Sequence, residues 1–265
     1  MKKIIALMLS LITVIALFAG CGGEKKDWDY IADKGKMVIG ITYFEPMNYK
    51  KDGKLVGFET EFAEAVCDEL GVKADFQEIE WDSKEVELNS KSIDCIWNGL
   101  TITDERKENM DISTPYMENK QVMVVKKSNA KKFAKSVKGA KVVAEAGSAG
   151  EEVAKGDKFF KGSNYVAADS QAKALMEVKS GTSDIAVIDY VMSIGTLKSG
   201  SDYADLAVVE GKDFAPEQYG IAFRKDSPET LKKVNAAIQK LADDGKLDEI
   251  AEKYNLEDLI LVKGK

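Results

Sequence analysis

The sequence lacks several features that define whole classes of proteins. It contains no histidine, and so it lacks the most common metal ligand and proton shuttle. It has no G-x-x-x-x-G-K-[ST] segment, and so no phosphate-binding loop for ATP. Acidic residues outnumber basic ones by 45 to 38, and a net negative surface repels nucleic acid. We therefore expect no metal, no cofactor and no nucleic-acid partner.

The N-terminus has the pattern of a secretory signal peptide. Met1-Lys2-Lys3 is basic, residues 4–19 are almost wholly apolar, and small residues precede Cys21. The apolar run is slightly shorter than the roughly 18 residues of a spanning helix, and no later stretch is apolar enough to span a membrane. An uncleaved anchor is the alternative. Cleavage after residue 20 leaves 265 − 20 = 245 residues with a net charge of −7 − 2 = −9, because two lysines are removed.

The end of this segment, L-F-A-G-C at residues 17–21, resembles the bacterial lipobox. The resemblance implies that Cys21 is lipidated and holds the protein at the extracytoplasmic face of the cell membrane. Residues 21–35 are then expected to form a tether, which begins with the flexible sequence G-G-E-K-K.

Two further cysteines, Cys67 and Cys95, follow Cys21. Cys67 falls on the apolar stripe of a predicted helix, and Cys95 lies inside a predicted strand. Two buried thiols are the preferred interpretation. A disulfide between them stays open, because oxidised cysteine pairs persist outside the cytoplasm.

Hydrophobic periodicity predicts strands and helices in alternation from residue 37 onwards. Strands are predicted over residues 37–41 and 74–80, a helix over 59–70, a second helix from Ser83 toward Lys91, and a third strand after Asp94. This order implies an α/β fold with a parallel sheet covered by helices. Ligands of such sheets bind at the carboxyl ends of the strands, where the loops converge.

The clearest functional signal is D-C-I-W-N-G-L-T-I-T-D-E-R, residues 94–106. A short apolar strand ends at Asn98-Gly99, and Gly99 lets the backbone bend or a ligand approach closely. Thr103 is placed to cap a helix, and the free amides at such a point suit an anion. Arg106 can donate two parallel hydrogen bonds to a carboxylate. The stretch predicts a site for a small carboxylate, and a surface arginine on an ordinary turn is the alternative.

Together with D-I-S-T-P-Y at residues 111–116, this stretch resembles the signature of the polar amino-acid-binding proteins of ABC uptake systems, extracellular solute-binding protein family 3. The resemblance covers about residues 36–255. It implies a two-lobed α/β fold of the periplasmic-binding-protein type II. Lobe 1 would comprise residues 36–123 and 219–265, and lobe 2 residues 124–218. It also implies an amino acid as ligand, an ABC permease as partner, an ATPase on a separate chain, and no catalytic residues.

The resemblance further implies which residues of lobe 1 bind the ligand. Phe44 and Trp81 match two aromatic positions that can enclose an aliphatic stem, with core packing as the alternative for both rings. The remaining contacts are expected from the loop that follows the third strand, at Asn98, Gly99, Thr101 and Arg106.

In lobe 2, the resemblance implies contacts from Glu145, Ser148, Ala149 and Asp189. Ser148 and the amides at Ala149 would bind the ligand carboxylate, and a plain helix cap is the alternative for Ser148. Asp189 would pair with the α-ammonium group, with an N-cap role as its alternative. Relatives that bind glutamine carry a lysine where this chain has Glu145. We therefore expect a neutral polar or cationic side chain, such as glutamine, histidine, arginine or cystine, and poor binding of aspartate and glutamate. A solvated Glu145 with no part in selection is the alternative.

A second class of function is also compatible with the fold. Some proteins of this type are dehydratases of prephenate-like or arogenate-like acids, and Glu145 would serve them as a general acid if burial raised its pKa. The lipobox and the pairing of Arg106 with Asp189 favour transport.

Overall fold

The computed structural model describes residues 27–212 and 214–265. The predicted signal peptide and Cys21 lie outside the described residues. The helices are α1 (Asp27–Lys34), α2 (Phe58–Leu70), α3 (Lys84–Asn89), α4 (Asp104–Asn109), α5 (Ala130–Phe133), α6 (Ala149–Gly156), α7 (Gln171–Ser180), α8 (Tyr190–Thr196), α9 (Pro228–Asp243) and α10 (Lys246–Tyr254). The strands are β1 (Lys36–Ile41), β2 (Tyr49–Lys51), β3 (Lys54–Val56), β4 (Lys73–Glu78), β5 (Cys95–Thr101), β6 (Met110–Ile112), β7 (Met117–Lys126), β8 (Lys141–Glu145), β9 (Asn164–Ala168), β10 (Ile185–Asp189), β11 (Leu206–Val208) and β12 (Pro216–Arg224).

The first half of the molecule is a sheet in the order β4–β1–β5–β12, in which β4, β1 and β5 run parallel and β12 is antiparallel to β5. Helix α2 covers this sheet because its apolar residues recur every third or fourth position, and Phe58, Phe62 and Val66 are fully buried. The helix ends at Gly71, whose φ of 71° is left-handed. The predicted β–α–β–α–β order is confirmed in this half.

The second half continues as β7–β10–β8–β9, with β10, β8 and β9 parallel. Strand β8 and the strand next to it, β10, are almost wholly buried, as expected for a sheet with helices on both faces. A separate apolar cluster, which includes Phe133, Val142 and Ile185, forms the core on one side of this half. The fold is the predicted two-part α/β architecture.

Two strands, β7 and β12, join the halves, and we call them the hinge strands. Residues 117–120 of β7 pair with residues 216–219 of β12, and residues 121–125 of the same strand pair with β10. One continuous strand therefore leaves the first sheet and enters the second. The carboxyl ends of β5, β8 and β10 are brought to the gap between the halves, where the predicted site residues lie.

The predicted tether over residues 21–35 is wrong for residues 27–34, which form helix α1. Ile31 of this helix is buried in the main apolar cluster. The Asp27 carboxylate accepts hydrogen bonds from the backbone N–H of Glu229 and Thr230 at 2.7 and 2.9 Å, which caps the start of α9. The helix was missed because it is short and its partner α9 is far away in the chain.

The two cysteines of the described residues are free and buried, as the preferred interpretation expected. Burial raises the pKa of the Cys67 thiol to about 12 and also raises the pKa of Cys95. Both thiols are therefore protonated at neutral pH. Across residues 27–212 and 214–265, no helix combines the length and the apolar character needed to cross a membrane.

Candidate functional site

A small enclosed cavity lies between the two halves of the molecule. Its free volume is about 10 Å³, which is about the space that one water molecule needs. The halves therefore meet closely here, and an amino acid can enter only if they move apart. Nine of the ten predicted ligand-binding residues line the cavity, together with Gln171: Trp81, Asn98, Gly99, Thr101, Arg106, Glu145, Ser148, Ala149 and Asp189.

Phe44 is the predicted residue that does not line the cavity in this closed arrangement. Its ring belongs to the main apolar cluster. The end of the ring lies against Gly99, where a Cβ atom would come within 2.8 Å of Phe44 Cζ. Phe44 thus packs against the bend at Gly99, whose φ is 57°. Trp81 is buried and lines the cavity, so the predicted pair of enclosing rings is reduced to one in this closed arrangement.

Asn98 is held firmly by neighbours in its own half. Its Oδ1 accepts hydrogen bonds from Thr42 N at 2.9 Å and Asn48 Nδ2 at 3.0 Å, and its Nδ2 donates to Thr42 Oγ1 at 2.7 Å. Both lone pairs of the amide oxygen are thus in use. The adjacent Gly99 N–H donates to Glu59 Oε1 at 2.7 Å. These bonds fix the end of β5 and leave Asn98 little capacity for a side-chain contact with a ligand.

Arg106 lies in the first turn of α4, where Thr103 accepts a hydrogen bond from the Arg106 N–H at 3.1 Å and caps the helix. The side chain is only 6% exposed. Its Nη1 donates to the Thr101 carbonyl at 2.7 Å, and its Nη2 donates across the cavity to the Gly147 carbonyl at 3.3 Å. A guanidinium group has five N–H donors. The two carbonyl contacts therefore orient the group and leave donors for a carboxylate.

Asp189 ends β10 on the other half and is 6% exposed. Its Oδ1 accepts hydrogen bonds from Asn119 Nδ2 at 2.6 Å and Gln121 Nε2 at 2.7 Å, and its Oδ2 accepts one from Gln171 Nε2. Burial raises the pKa of Asp189, and these neutral amides oppose the rise. Among the described residues no cation forms an ion pair with it. A buried carboxylate with neutral partners is suited to receive a cation from a ligand.

The Asp189 side chain does not cap a helix, which was the alternative role for this residue. The residue occupies the capping position of α8, but its carboxylate accepts no N–H from that helix. Asn119 Oδ1 takes the contact instead, from Val191 N at 3.3 Å. The carboxylate of Asp189 is thereby left to the cavity and its amide partners.

Glu145 ends β8 and is 3% exposed. Its Oε1 has no hydrogen-bond partner among the described residues. Burial raises the pKa of Glu145 to about 8, the charge of Asp189 adds to the rise, and the charge of Lys84 opposes it. The carboxyl group is therefore largely protonated at neutral pH in the closed cavity. An unpartnered buried oxygen is costly, and a ligand group can satisfy it.

The Ser148 hydroxyl forms both of its hydrogen bonds with residues of its own half. It donates to the Glu145 carbonyl at 2.7 Å and accepts from Glu151 N at 3.1 Å, which makes it the cap of α6. The Ser148 side chain therefore acts as the helix cap, which was the alternative to a contact with the ligand. The first N–H groups of an α-helix have no partner within the helix, so the start of α6 at Ala149 still presents donors at the cavity wall.

Lys84 was missed by sequence reasoning and lies across the gap from Gly147. Its buried Nζ donates to the carbonyls of Trp81 at 3.2 Å and Gly147 at 3.1 Å. Burial lowers the pKa of Lys84 to about 8, and the charge of Arg106 adds to the fall. Gly147, with a φ of 67°, approaches so closely that a Cβ atom would lie 2.9 Å from Asp82 Oδ1. Two cations of one half therefore share a single carbonyl of the other.

Four polar residues around Asp189 were also missed: Asn119, Gln121, Gln171 and Glu217. Asn119 and Gln121 are polar, buried and two apart on β7, so both point to the same face of that strand. That spacing was the signal available in the sequence. The other two come from separate elements, and only the fold brings them together.

The chain resembles known proteins along nearly its whole length. The sequence profile of the bacterial extracellular solute-binding proteins, family 3, matches residues 37–257. The L-cystine-binding protein TcyJ of Escherichia coli (strain K12) is 32% identical over 251 residues, which cover 92% of this chain and 92% of that protein. The ABC transporter glutamine-binding protein GlnH of Bacillus subtilis (strain 168) is 32% identical over 276 residues, which cover 97% of this chain and 99% of that protein. Among solved structures, an ABC uptake transporter substrate-binding protein from Streptococcus pneumoniae with bound histidine is 33% identical with a TM-score of 0.80, over 88% of this chain and 97% of that chain.

Proposed function

Since the chain belongs to the bacterial extracellular solute-binding proteins of family 3, we propose that it captures a polar amino acid outside the cytoplasm and delivers it to an ABC permease. The observation that carries the proposal is the pair of opposite charges in one cavity. Arg106 of the first half and Asp189 of the second half are both buried there. Arg106 is held by two backbone carbonyls and a long ion pair to the exposed Glu152 at 3.9 Å, and Asp189 is held by neutral amides. The α-carboxylate of an amino acid would pair with Arg106, and its α-ammonium group would pair with Asp189, so that each buried charge gains an opposite charge.

Ligand binding and closure follow from the same contacts. We assign lobe 1 to residues 36–123 and 219–265 and lobe 2 to residues 124–218, with the hinge strands between them. A ligand that contacts Arg106 in one lobe and Asp189 in the other binds the closed form more tightly than the open form, and so shifts the population toward closure. The closed form is then the form that the permease recognises, and a separate chain supplies the ATPase.

The named relatives are amino-acid-binding proteins of transport systems and not enzymes. This supports binding and transport over the dehydratase alternative. A dehydratase would use a protonated Glu145 as its general acid. A role of Glu145 in ligand selection accounts for the same buried, protonated carboxyl group. Its Oε1 lacks a partner, and a hydrogen-bond donor or a cation on the ligand side chain would supply one.

Replacing Glu145 by glutamine tests this role in selection. We expect arginine to bind about tenfold more weakly to Glu145→Gln, a change of about 1.4 kcal/mol, and glutamate to bind more tightly. A cationic side chain favours the ionised carboxylate, so arginine affinity for the wild type should rise with pH up to about 8, where Glu145 loses its proton. In the variant this rise should vanish. Isothermal titration calorimetry with arginine, glutamine and glutamate measures all three effects.

The matched control is Glu210→Gln, which removes an exposed acid of the same half. The assignment of Glu145 is wrong if wild type binds glutamate tightest, or if Glu145→Gln and Glu210→Gln leave the three affinities equally unchanged.

The lipid anchor is part of the proposal and rests on L-F-A-G-C at residues 17–21. We expect Cys21 to be diacylated and the mature protein to sediment with membranes. Cys21→Ala should leave the signal uncut or release the protein, because the modified thiol is lost. Membrane fractionation with mass spectrometry of the N-terminal peptide measures this, and Cys67→Ala serves as the control. Unchanged processing and membrane retention of Cys21→Ala would contradict the anchor.

A further inference from the structure

Two carboxylates at the hinge are joined by a closed ring of four hydrogen bonds. Asn119 Nδ2 donates to Asp189 Oδ1 at 2.6 Å and to Glu217 Oε2 at 3.1 Å. Gln121 Nε2 donates to the same two oxygens at 2.7 and 3.0 Å. Each amide NH₂ group has two hydrogens, and both are donated to the two carboxylates. One oxygen of Asp189 and one of Glu217 are thus bridged twice.

The ring spans every strand that links the two halves. Asn119 and Gln121 lie on β7, Glu217 lies on β12, and Asp189 ends β10. Thr101 Oγ1 adds a fifth bond, to Glu217 Oε2 at 3.1 Å, which ties the ring to the end of β5. Glu217 therefore sits between the strand that leads to Arg106 and the carboxylate predicted to bind the ammonium group.

The ring places two acids together without a cation. Among the described residues, no lysine or arginine forms an ion pair with either carboxylate. Burial raises the pKa of Glu217, and the charge of Asp189 adds to the rise. Burial likewise raises the pKa of Asp189. Two carboxylates that accept from the same two amides disfavour simultaneous ionisation, and a positive charge placed beside them relieves the repulsion.

We propose that Glu217 is a positioning residue of the ammonium site, which shares the ligand's positive charge with Asp189 through the Asn119–Gln121 bridge. The inference rests on the proposed function, since it takes an amino acid as the ligand. The ammonium group contacts Asp189, and the bridge carries its effect to Glu217. Binding then stabilises the ionised state of both acids, so protons leave the pair when a ligand enters in the acid range.

Other titratable groups face the pair and must be held constant. Glu145 on β8 and Tyr219 on β12 interact electrostatically with Asp189. Glu59 on α2 does so as well, and it shares a hydrogen bond with Tyr116. A neighbouring cavity that Glu217 lines also carries three charged side chains: Lys107, Glu118 and Glu152. All of these residues are present in the wild type and in every variant at residue 217, so a difference between the variants originates at Glu217.

The test is Glu217→Gln, studied by calorimetry with the tightest-binding amino acid between about pH 4 and about pH 8. The glutamine oxygen can still accept from Thr101, Asn119 and Gln121, so the fold should be kept, as circular dichroism will verify. We expect about tenfold weaker binding at neutral pH. In the acid range the slope of the logarithm of the association constant against pH should fall by about one, because one fewer proton is released. The affinity loss should also move to lower pH, since Asp189 no longer has an acidic neighbour.

Two further variants sharpen the result. Glu217→Asp keeps the charge and should keep the steeper slope, whereas Glu118→Gln removes an exposed acid of the same hinge and should behave as wild type. Wild-type slope in Glu217→Gln, or equal slopes in Glu217→Asp and Glu217→Gln, overturns the inference and leaves the proposed function standing. Failure of the wild type to bind any amino acid overturns both.

Discussion

Replacing Arg106 by alanine is expected to abolish amino-acid binding while the protein stays folded. The Arg106 side chain is 6% exposed and is oriented by the Thr101 and Gly147 carbonyls, so it meets a ligand carboxylate away from water. Removing one member of such a buried charge pair costs roughly 2–5 kcal/mol. That corresponds to a loss of about 30-fold or more in affinity. Calorimetry measures the loss, and circular dichroism verifies the fold.

Two further variants of α4 serve as controls for this result. Lys107→Ala removes an exposed cation one residue away and should bind as wild type does. Arg106→Lys keeps the charge but lacks the fork that matches a carboxylate, so it should recover only part of the affinity. A loss below about tenfold in Arg106→Ala would mean that the carboxylate binds elsewhere.

Asp189→Asn is expected to weaken binding by a similar amount, roughly 2–5 kcal/mol, since the α-ammonium loses the carboxylate that it contacts in this assignment. Without ligand, two contributions to stability oppose each other. Burial raises the pKa of Asp189, so its ionisation costs stability above the unfolded-state pKa, and the neutral amide avoids this cost at pH 7. The new NH₂ group, however, replaces an oxygen that accepts from the amides of Asn119, Gln121 or Gln171, and this costs stability. Thermal unfolding with and without ligand separates the effect on binding from the effect on stability.

The control is Asp169→Asn, an exposed acid of the same half that pairs with Lys173. We expect Asp189→Asn to gain no stability when ligand is added, whereas the wild type gains it. A ligand-induced shift equal to that of wild type and Asp169→Asn would remove Asp189 from the site.

Local chemistry made most of the fold predictable. The Asp52-Gly53 turn between β2 and β3, with both residues at positive φ, follows from the residues themselves. Gly71 ends α2 for the same kind of reason. Non-local pairing was harder: residues 117–120 at the start of β7 are largely polar, and they form a strand by pairing with β12. Only the fold places those distant segments side by side.

The candidate site divides in the same way. A single continuous stretch, residues 94–106, led to Arg106 and to the bend at Gly99 because the strand, turn and cap are adjacent in the chain. Glu217 and Gln171 come from elements far from that stretch, and their importance depends on meeting Asp189. Phe44 packs against Gly99 without lining the closed cavity, and the sequence shows an aromatic ring near a loop without revealing that contact.

The most direct test of the account is a calorimetric titration of the wild-type protein with all common L-amino acids, cystine and prephenate. The account predicts tight, saturable binding of one or a few neutral polar or cationic amino acids and weak binding of aspartate and glutamate. A ligand at 100 times its Kd should also raise the free energy of unfolding by roughly 2.7 kcal/mol. Prephenate should neither bind tightly nor be converted. Binding of no amino acid, or turnover of prephenate, would contradict the central claim.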